Sequence, residues 1–339
     1  MALRLIEVFL PKNEEARIGE TLRGRTEFGI WIEPLSDGYI LARILVQTEK
    51  TEEVLDLLEN IFSSVKGFRV ILLPVEATLP RPEQPKEAGK IEVDQTRTKD
   101  EEKKKERISR EELYQDIGQT IRVSWVFIIL LVLSSLLAAI GIERNNVAII
   151  IGAMVIAPLL GPNVALSLST TLGDMDLARR AFKANLVGIA VVLLVAVVLG
   201  LSLGLTPDVP EVRFRTSVGL EDVVLALAAG SAGTLSFTTG LSSAIIGVMV
   251  AVSLLPPLVT SGMLLGNGFN REAAGAFLLF LTNVVCVNLA GIVTFLLQGI
   301  RPRAWWKANS AKKGTRNAIA LWTILLLILI GLIFLMRTR

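Results

Sequence analysis

The stretch IIIGAMVIAPLLGP at residues 149–162 recurs 95 residues later as AIIGVMVAVSLLPP at residues 244–257. Eight of the 14 paired positions are identical, and Gly, Met and Pro all match in register. A chance pairing of two apolar segments seldom matches those three residue types together. The chain therefore contains an internal repeat, and each copy carries prolines inside an apolar helix candidate.

Long apolar segments surround both copies and predict a membrane protein. The chain has 339 residues, of which 52% are hydrophobic and 20% charged, and the apolar residues concentrate after residue 124. A bilayer crossing needs about 20 mostly apolar residues, because the hydrocarbon core is about 30 Å thick. The fourth candidate is diluted by Gly and Ser, so a re-entrant or broken segment is its alternative. The seven candidate spans are 124–142, 147–169, 184–205, 221–239, 242–264, 273–298 and 317–336.

Basic residues set the predicted orientation of these spans. The tether before residue 124 and the loop 299–316 are both rich in Lys and Arg, which favours the cytoplasmic side. Six candidate spans separate the two regions, so both are expected inside and the C-terminus outside. Three crossings per copy give the copies opposite orientations. This is an inverted 3+3 repeat, an architecture typical of transporters with broken helices near the midplane.

Residues 1–80 predict a small α+β domain in front of the membrane part. Strand candidates alternate with helical segments at 12–22 and from Thr51 onward, in the β-α-β-β-α-β order of a ferredoxin-like unit. This order resembles the small regulatory domains of the ACT type, which bind amino acids or pair as dimers. Ligand sensing and plain assembly are equally open for it, because a fold alone does not decide function. The strand candidates are 4–10, 29–33, 39–46 and 68–75.

A charged linker and a helix are expected to join this domain to the membrane. Ser109 and Glu112 have the spacing of a capping box, and Leu113, Ile117 and Ile121 recur every four residues behind it. That spacing predicts an amphipathic helix at the cytoplasmic membrane surface. The predicted parts are the domain 1–80, the linker and interfacial helix 81–123, the membrane domain 124–298, and the basic loop with a final span 299–339.

The proline breaks form the predicted site. Proline removes a backbone donor, and in lipid each freed carbonyl must find a partner inside the protein. One interpretation is a simple kink satisfied by neighbouring Ser or Thr. The other is a pair of broken helices whose free ends bind a solute, and we favour it because the break recurs in both halves. The predicted solute-binding set is Pro158, Pro162, Asn163, Gly230, Ser231, Gly233, Thr234, Ser236, Ser253, Pro256, Pro257 and Thr260.

Amides and the position of charges refine the expected chemistry. Asn185, Asn283 and Asn288 lie in or near spans, where each amide carries several hydrogen-bonding groups to satisfy. Small residues also allow close helix packing, which accounts for most glycines and serines without a ligand. No Asp, Glu, Lys or Arg falls in the middle of a candidate span, so a side-chain proton relay is not expected. A sodium ion held by hydroxyls and carbonyls stays open.

Composition argues against several other functions. The net charge of +3 is too small to indicate nucleic-acid binding, and the chain has no His and a single Cys. It contains no Cys/His metal spacing, no paired catalytic carboxylates and no phosphate loop, so we expect no enzyme activity, metal or cofactor. The expected partners are the lipid bilayer, a small solute or ion, and further copies of the chain in a homo-oligomer.

The membrane part, from about residue 120 to 300, resembles a known family through two motifs. These are GAMVIAPLLGP at 152–162 and LLPP at 254–257. They resemble the prokaryotic membrane family called domain of unknown function 389. The resemblance implies a protein of the prokaryotic plasma membrane and brings no activity, since the family name assigns none.

Two functions of different classes remain after this reading. The first is a transporter or channel for a small solute or ion, with a cytoplasmic ferredoxin-like domain that regulates or assembles it. The alternative is a membrane-anchored sensor or scaffold, in which the N-terminal domain binds a ligand or partner and the spans only hold it. We favour the first, because an anchor does not need repeated proline breaks or asparagines within its spans.

Single cysteines at Ser217 and Ser310, in a chain carrying Cys286→Ser, test the predicted orientation. Ser310 lies in the basic loop and Ser217 in the mixed-charge loop 206–220, so the two are expected on opposite sides of the membrane. A membrane-impermeant maleimide added to intact cells should label Ser217→Cys alone, and should label Ser310→Cys only after lysis. Labelling of both positions from outside would rule out three crossings per repeat copy.

Overall fold

The structure is a computed structural model that describes residues 3–23, 29–75, 108–239, 253–300 and 319–334. The chain divides into two compact units, Met1–Leu113 and Tyr114–Arg339. The first contains a small antiparallel sheet, and the second is helical. Three predicted features lie wholly or largely outside the described residues: the linker 81–107, most of the second motif copy at 244–252, and the basic loop 301–316.

The first unit is built on a four-stranded sheet. Its strands lie in the order β2-β3-β1-β4, and all neighbouring pairs are antiparallel. Ile6, Val8 and Leu10 alternate along β1 and are fully buried, where they share one core with Phe62 of α2. The elements are β1 Leu3–Pro11, α1 Glu15–Leu22, β2 Ile30–Pro34, β3 Tyr39–Gln47, α2 Thr48–Phe62 and β4 Arg69–Val75.

Helix α2 begins one turn before its predicted start. It begins at Thr48 instead of Thr51, because the Thr51 hydroxyl lies inside the first turn and donates to the Gln47 carbonyl oxygen at 3.1 Å. It ends at Phe62, before Gly67 is reached. Gly67 has φ +90°, so it serves the turn that leads into β4 rather than the helix end itself.

The linker is followed by helix α3, Arg110–Thr120. Ser109 Oγ accepts a hydrogen bond from the Glu112 N–H at 3.2 Å, as the predicted cap requires. The reciprocal bond of a capping box is replaced, because the Glu112 carboxylate accepts two hydrogen bonds from Arg4 at 2.9 and 3.1 Å. Arg110 also donates to Asp56 at 2.8 Å, so the start of α3 is held by charge pairs.

The apolar face of α3 is covered by protein. Leu113 and Ile117 are fully buried, and Ile121, just after the helix, is 4% exposed. The four-residue spacing correctly predicts an amphipathic helix. Its place at the cytoplasmic membrane surface stays a prediction, although protein rather than lipid covers these apolar side chains.

The second unit consists of nine described helices. Large apolar side chains of α7 such as Leu194 and Leu201 are 67% and 71% exposed. A long apolar helix with such an exposed face indicates a membrane protein. The helices are α4 Trp125–Glu143, α5 Val147–Ile156, α6 Leu160–Leu172, α7 Met175–Leu203, α8 Pro210–Thr216, α9 Leu220–Thr239, α10 Leu255–Gly266, α11 Asn270–Leu297 and α12 Ile319–Phe334.

The described residues contain four to five membrane spans, against seven predicted for the whole chain. Helices α4, α7, α9 and α11 are each long and apolar enough to cross a bilayer. Helices α5 and α6 meet at a 48° bend and make a fifth span if they are counted together. The fourth candidate, which the sequence left open as a broken segment, is the continuous helix α9.

The final helix α12 packs against α9 and α11. Leu329 and Ile333 of α12 share a buried cluster with Val223 of α9 and Cys286 of α11. Cys286 is fully buried among these apolar side chains, so its role there is packing.

Corresponding helices in the two halves of this unit begin at a constant separation along the sequence. Helices α4 and α9 begin at residues 125 and 220, α6 and α10 at 160 and 255, and α7 and α11 at 175 and 270. Each difference is 95 residues, the same distance that separates the two sequence motifs.

Phe62→Ala in the isolated fragment 1–113 tests the core of the first unit. Phe62 is fully buried, so its truncation should lower the free energy of unfolding by about 3–5 kcal/mol. Urea denaturation followed by circular dichroism measures this. Leu73→Ala, at a side chain 38% exposed, is the control and should change stability far less. An unfolded wild-type fragment would instead mean that this unit depends on the membrane part.

Candidate functional site

The first proline break sets the position of Asn163. Ala157 is extended, with ψ 120°, because a residue before proline avoids the helical region. Helix α6 then starts at Leu160, and Pro162 lies in its first turn, where no N–H is required. The side chain of Asn163 folds back onto the break, and its Nδ2 donates to the Leu159 carbonyl oxygen at 2.9 Å.

Three asparagines from three helices form a chain of hydrogen bonds beside this break. Asn163 Nδ2 also donates to Asn185 Oδ1 of α7 at 3.0 Å. Asn163 Oδ1 in turn accepts from Asn288 Nδ2 of α11 at 3.0 Å, and Asn288 Nδ2 donates to the Val284 carbonyl oxygen at 2.8 Å. The break in α6 is therefore linked to the two longest helices by side-chain amides.

Two hydroxyl groups approach the same region. Ser167 Oγ lies 3.2 Å from the Asn288 carbonyl oxygen and 3.3 Å from Asn288 Oδ1. A Cβ placed on Gly291 would lie 2.7 Å from Ser167 Oγ and 3.1 Å from Thr234 Oγ1, so helices α6, α9 and α11 meet at this glycine. We call the group the amide cluster; it consists of Asn163, Ser167, Asn185, Thr234 and Asn288.

Four of the five residues of the amide cluster are buried within the helical unit, and Asn185 is half-buried with its Nδ2 atom inside. Ser167, Thr234 and Asn288 are fully buried, and Asn163 is 2% exposed. Polar groups removed from water in this way must hydrogen-bond to one another or to a ligand. The cluster offers only neutral amides and hydroxyls, which suits recognition by hydrogen bonds. Among the residues the structure describes, no three His, Cys, Asp or Glu side chains come together as metal ligands.

The second break meets the middle of α11. Pro256 and Pro257 lie in the first turn of α10. Ser253 before it has φ +44°, a strained value for a residue with a side chain, and its carbonyl oxygen accepts from Asn283 Nδ2 at 3.1 Å. Asn283 and Asn288 are five residues apart, which is about 7.5 Å along a helix. Both breaks therefore contact the central turns of α11.

Most of the other predicted site residues contribute to helix packing, and one of them, Thr260, has a hydroxyl without a hydrogen-bond partner among the described residues. Gly230 and Gly233 are buried in α9, and Gly230 faces the Val287 backbone. Ser236 donates to its own helix, at the Ala232 carbonyl oxygen, and Ser231 forms no described contact with the cluster. Thr260 in α10 is fully buried, and its Oγ1 has no hydrogen-bond partner among the described residues.

Helix α3 supports the first break from outside the cluster. A Cβ on Gly161 would lie 2.5 Å from Thr120 Oγ1, so the end of α3 rests directly on the first turn of α6. Tyr114 in α3 donates to Asp174 Oδ2 at 2.8 Å, and Asp174 Oδ1 caps α7 by accepting from the Leu177 N–H at 2.9 Å.

The capping carboxylate stays charged near neutral pH. Burial acts to raise the pKa of Asp174, but hydrogen bonds from the Leu177 N–H and the Tyr114 hydroxyl outweigh it and hold that pKa below its ordinary value. Burial raises the pKa of Tyr114, and its bond to Asp174 raises it further. The tyrosine therefore stays protonated and the aspartate ionised, which keeps this contact between α3 and α7 in place.

Sequence reasoning found the amides but not their pairing. Asn185, Asn283 and Asn288 stand out as amides in apolar segments, yet none was placed in the predicted solute-binding set. Ser167 was not in that set either. The bonded partners are distant along the chain, since Asn163 and Asn288 are 125 residues apart. The sequence could therefore indicate these residues only because an amide is unusual in an apolar span, and no spacing predicted which amides pair.

Comparisons with known proteins give a family and a relative. Residues 154–289 match the family described as Domain of unknown function (DUF389). An uncharacterized protein of Methanocaldococcus jannaschii is 34% identical over 334 residues, which cover 98% of this chain and 99% of the relative. No solved structure matches this chain.

Gly291→Ala tests the close approach of helices at the amide cluster. The added methyl group has to displace Ser167 or Thr234, so the variant should lose about 1–3 kcal/mol of stability through overpacking. Thermal unfolding in detergent, followed by tryptophan fluorescence, measures the change. Gly152→Ala is the matched control, because a Cβ there meets nothing within 4 Å. Equal melting temperatures for Gly291→Ala and wild type would contradict the described contact.

Proposed function

The chain belongs to the family described as Domain of unknown function (DUF389), and on that premise we propose that it is a membrane transporter or channel. Its cargo is a small solute or ion that binds at the amide cluster between the two proline breaks. The N-terminal domain regulates or assembles it from the cytoplasmic side. We do not propose an enzyme, because the cluster holds amides and hydroxyls rather than a nucleophile with its base.

The observation that carries this proposal is a difference between the two halves. A shift of 95 residues relates one close contact of α6 with α11, Ser167 on Gly291, to one close contact of α10 with α7, Gly262 on Ala196. The same shift relates Asn163, Ser167, Thr234 and Asn288 to Leu258, Gly262, Ala139 and Leu193. One crossing is polar and its counterpart is apolar, so close helix packing does not by itself require the amide cluster.

Contacts along the long helices support an inverted repeat. Helix α6 meets the early part of α7 at Asn185 and the late part of α11 at Asn288. Helix α10 meets the late part of α7 at Gly200 and the early part of α11, where Ser261 Oγ donates to the Ala273 carbonyl oxygen at 2.9 Å. This pattern supports opposite directions for α7 and α11, as in the two copies of an inverted repeat.

The proposal extends to the location and the N-terminal domain. The basic segments favour a cytoplasmic N-terminus in a prokaryotic plasma membrane, with the chain assembled as a homo-oligomer. The β-α-β-β-α-β order and the strand order of the first unit support a ferredoxin-like regulatory or assembly role. Helix α3 supports regulation, since its last residue touches the first turn of α6.

Asn163→Leu and Asn288→Leu test the proposed function. Each places a leucine at a cluster position, as Leu258 and Leu193 already stand at the two related positions of the other crossing. The purified full-length protein is reconstituted in liposomes, and uptake is measured for a panel of labelled small solutes and ions. Each variant should lower uptake of the transported solute by about tenfold or more, because losing a buried hydrogen-bond partner costs about 1–3 kcal/mol. Asn267→Leu, at the end of α10, is the control and should retain wild-type uptake.

Two results would contradict this proposal. Wild-type uptake in both cluster variants would leave the prolines as ordinary kinks satisfied by neighbouring groups. Absence of any uptake by wild-type protein, together with a ligand bound by the fragment 1–113, would favour the sensor or scaffold function. Calorimetric binding measurements on that fragment distinguish the two results.

A further inference from the structure

We propose that the solute is a small anion whose oxygen atoms accept hydrogen bonds, and that Asn185 Nδ2 is the side-chain donor that binds it. This inference rests on the proposed function and names the solute class of the same site. Carboxylates and inorganic oxyanions share this chemistry, since both spread a negative charge over two or more accepting oxygens.

Backbone carbonyls fix the direction of the hydrogen-bond chain. A carbonyl oxygen only accepts, so the amide atom of Asn163 that faces the Leu159 carbonyl must be its nitrogen. For the same reason, the Asn288 atom that faces the Val284 carbonyl must be nitrogen. Asn163 therefore turns its Oδ1 toward Asn288 and its Nδ2 toward Asn185, and the three amides have one consistent orientation.

The chain of donors ends at Asn185. Both hydrogens of Asn163 Nδ2 are used, on Leu159 and Asn185, and both hydrogens of Asn288 Nδ2 are used, on Val284 and Asn163. Asn185 Oδ1 is occupied by Asn163. Asn185 Nδ2 is buried and has no acceptor among the described residues. The cluster therefore keeps one buried donor without an acceptor among the described residues, and a ligand that completes it must supply that acceptor.

The surrounding partial charges favour an anion over a neutral acceptor. Helices α6 and α10 both begin at the breaks, so their N-terminal ends bring partial positive charge to the central turns of α11. Half-helix N-termini at a membrane midplane bind anionic groups in this way. Arg179, Arg180 and Lys183 precede Asn185 in α7 and outnumber the two carboxylates of the same turns, Asp174 and Asp176, although Arg179 pairs with Asp176 at 3.8 Å.

A sodium ion fits this arrangement less well. Sodium needs several oxygen ligands, whereas the amide oxygens of Asn163, Asn185 and Asn288 already accept bonds within the cluster. The group left over is an N–H donor, which repels a cation. The hydroxyl- and carbonyl-held sodium ion that the sequence left open is therefore not the ligand that this cluster selects.

Asn185→Asp tests the proposal by exchanging one atom type for another. The aspartate keeps one oxygen to accept from Asn163 and replaces the Nδ2 donor with a second oxygen of similar position. Asn146→Asp is the matched control, because Asn146 caps α5 through its Oδ1, a bond that aspartate retains. Asn185→Gln keeps the amide donor and serves as the conservative variant. Gel filtration in detergent verifies that each variant folds.

Binding and flux are both measured on the full-length protein. Binding is read as a saturable rise in melting temperature on addition of potassium nitrate, acetate or chloride to a low-salt Tris buffer that contains no oxyanion or carboxylate. Flux into liposomes is measured with nitrate as the anion, erythritol as the neutral probe and sodium as the cation. Wild type should bind nitrate or acetate, and Asn185→Asp should raise the dissociation constant by about tenfold or more. Asn146→Asp should match wild type, and Asn185→Gln should retain part of the binding.

The arms separate the possible outcomes. Stronger binding of nitrate than of acetate, or the reverse, assigns inorganic oxyanions or carboxylates, while a response to chloride alone would overturn the role of oxygen acceptors. Flux of sodium or erythritol that depends on Asn163, without nitrate or acetate binding, would overturn the anion class and leave transport standing. Neither binding nor flux of any probe would overturn the anion and the proposed transport together.

Discussion

The Ser253 carbonyl cannot receive the hydrogen bond that residue 257 would donate in an unbroken helix, because that residue is proline. Hydrocarbon supplies no alternative donor, so the protein has to supply one. Asn283 of α11 does so at 3.1 Å. This requirement holds the second break against the centre of α11, where Asn288 binds the first break through Asn163. The position of both breaks inside the helical unit follows from the donors that α11 provides.

The two related helix crossings are both closely packed, but only one of them contains buried polar side chains at the related positions. Close helix contact is achieved at both crossings, by Gly291 beside Ser167 and by Gly262 beside Ala196. The apolar crossing satisfies packing with no buried polar side chain at these positions. The polar crossing accepts the cost of desolvating amides and still leaves the Asn185 donor unpaired among the described residues. The difference between the two crossings is the reason for proposing a ligand that completes the hydrogen bonds at the polar one.

Sequence patterns determined part of this structure and left the pairings open. Proline chemistry fixed the bend before α6, because both Pro158 and Pro162 act on their immediate neighbours. The spacing of Leu113 and Ile117 located the buried face of α3, but periodicity does not say whether lipid or protein covers a face. The hydrogen bond between Asn163 and Asn288, which are 125 residues apart, could not be predicted without the tertiary fold. By its chemistry alone, any other amide in the spans could equally well be the partner of Asn163.

Helix α3 ends against the first turn of α6, next to the amide cluster. Its first residue is held by Asp56 and Glu52 within the first unit, and its last residue, Thr120, lies against Gly161 within the second. A glycine is needed at that contact because a methyl group would collide with the threonine side chain. Packed contacts of this kind transmit displacement instead of absorbing it. This contact lies two residues before Asn163, whose Nδ2 donates to Asn185 Oδ1, and it is the physical basis of the regulation proposed above.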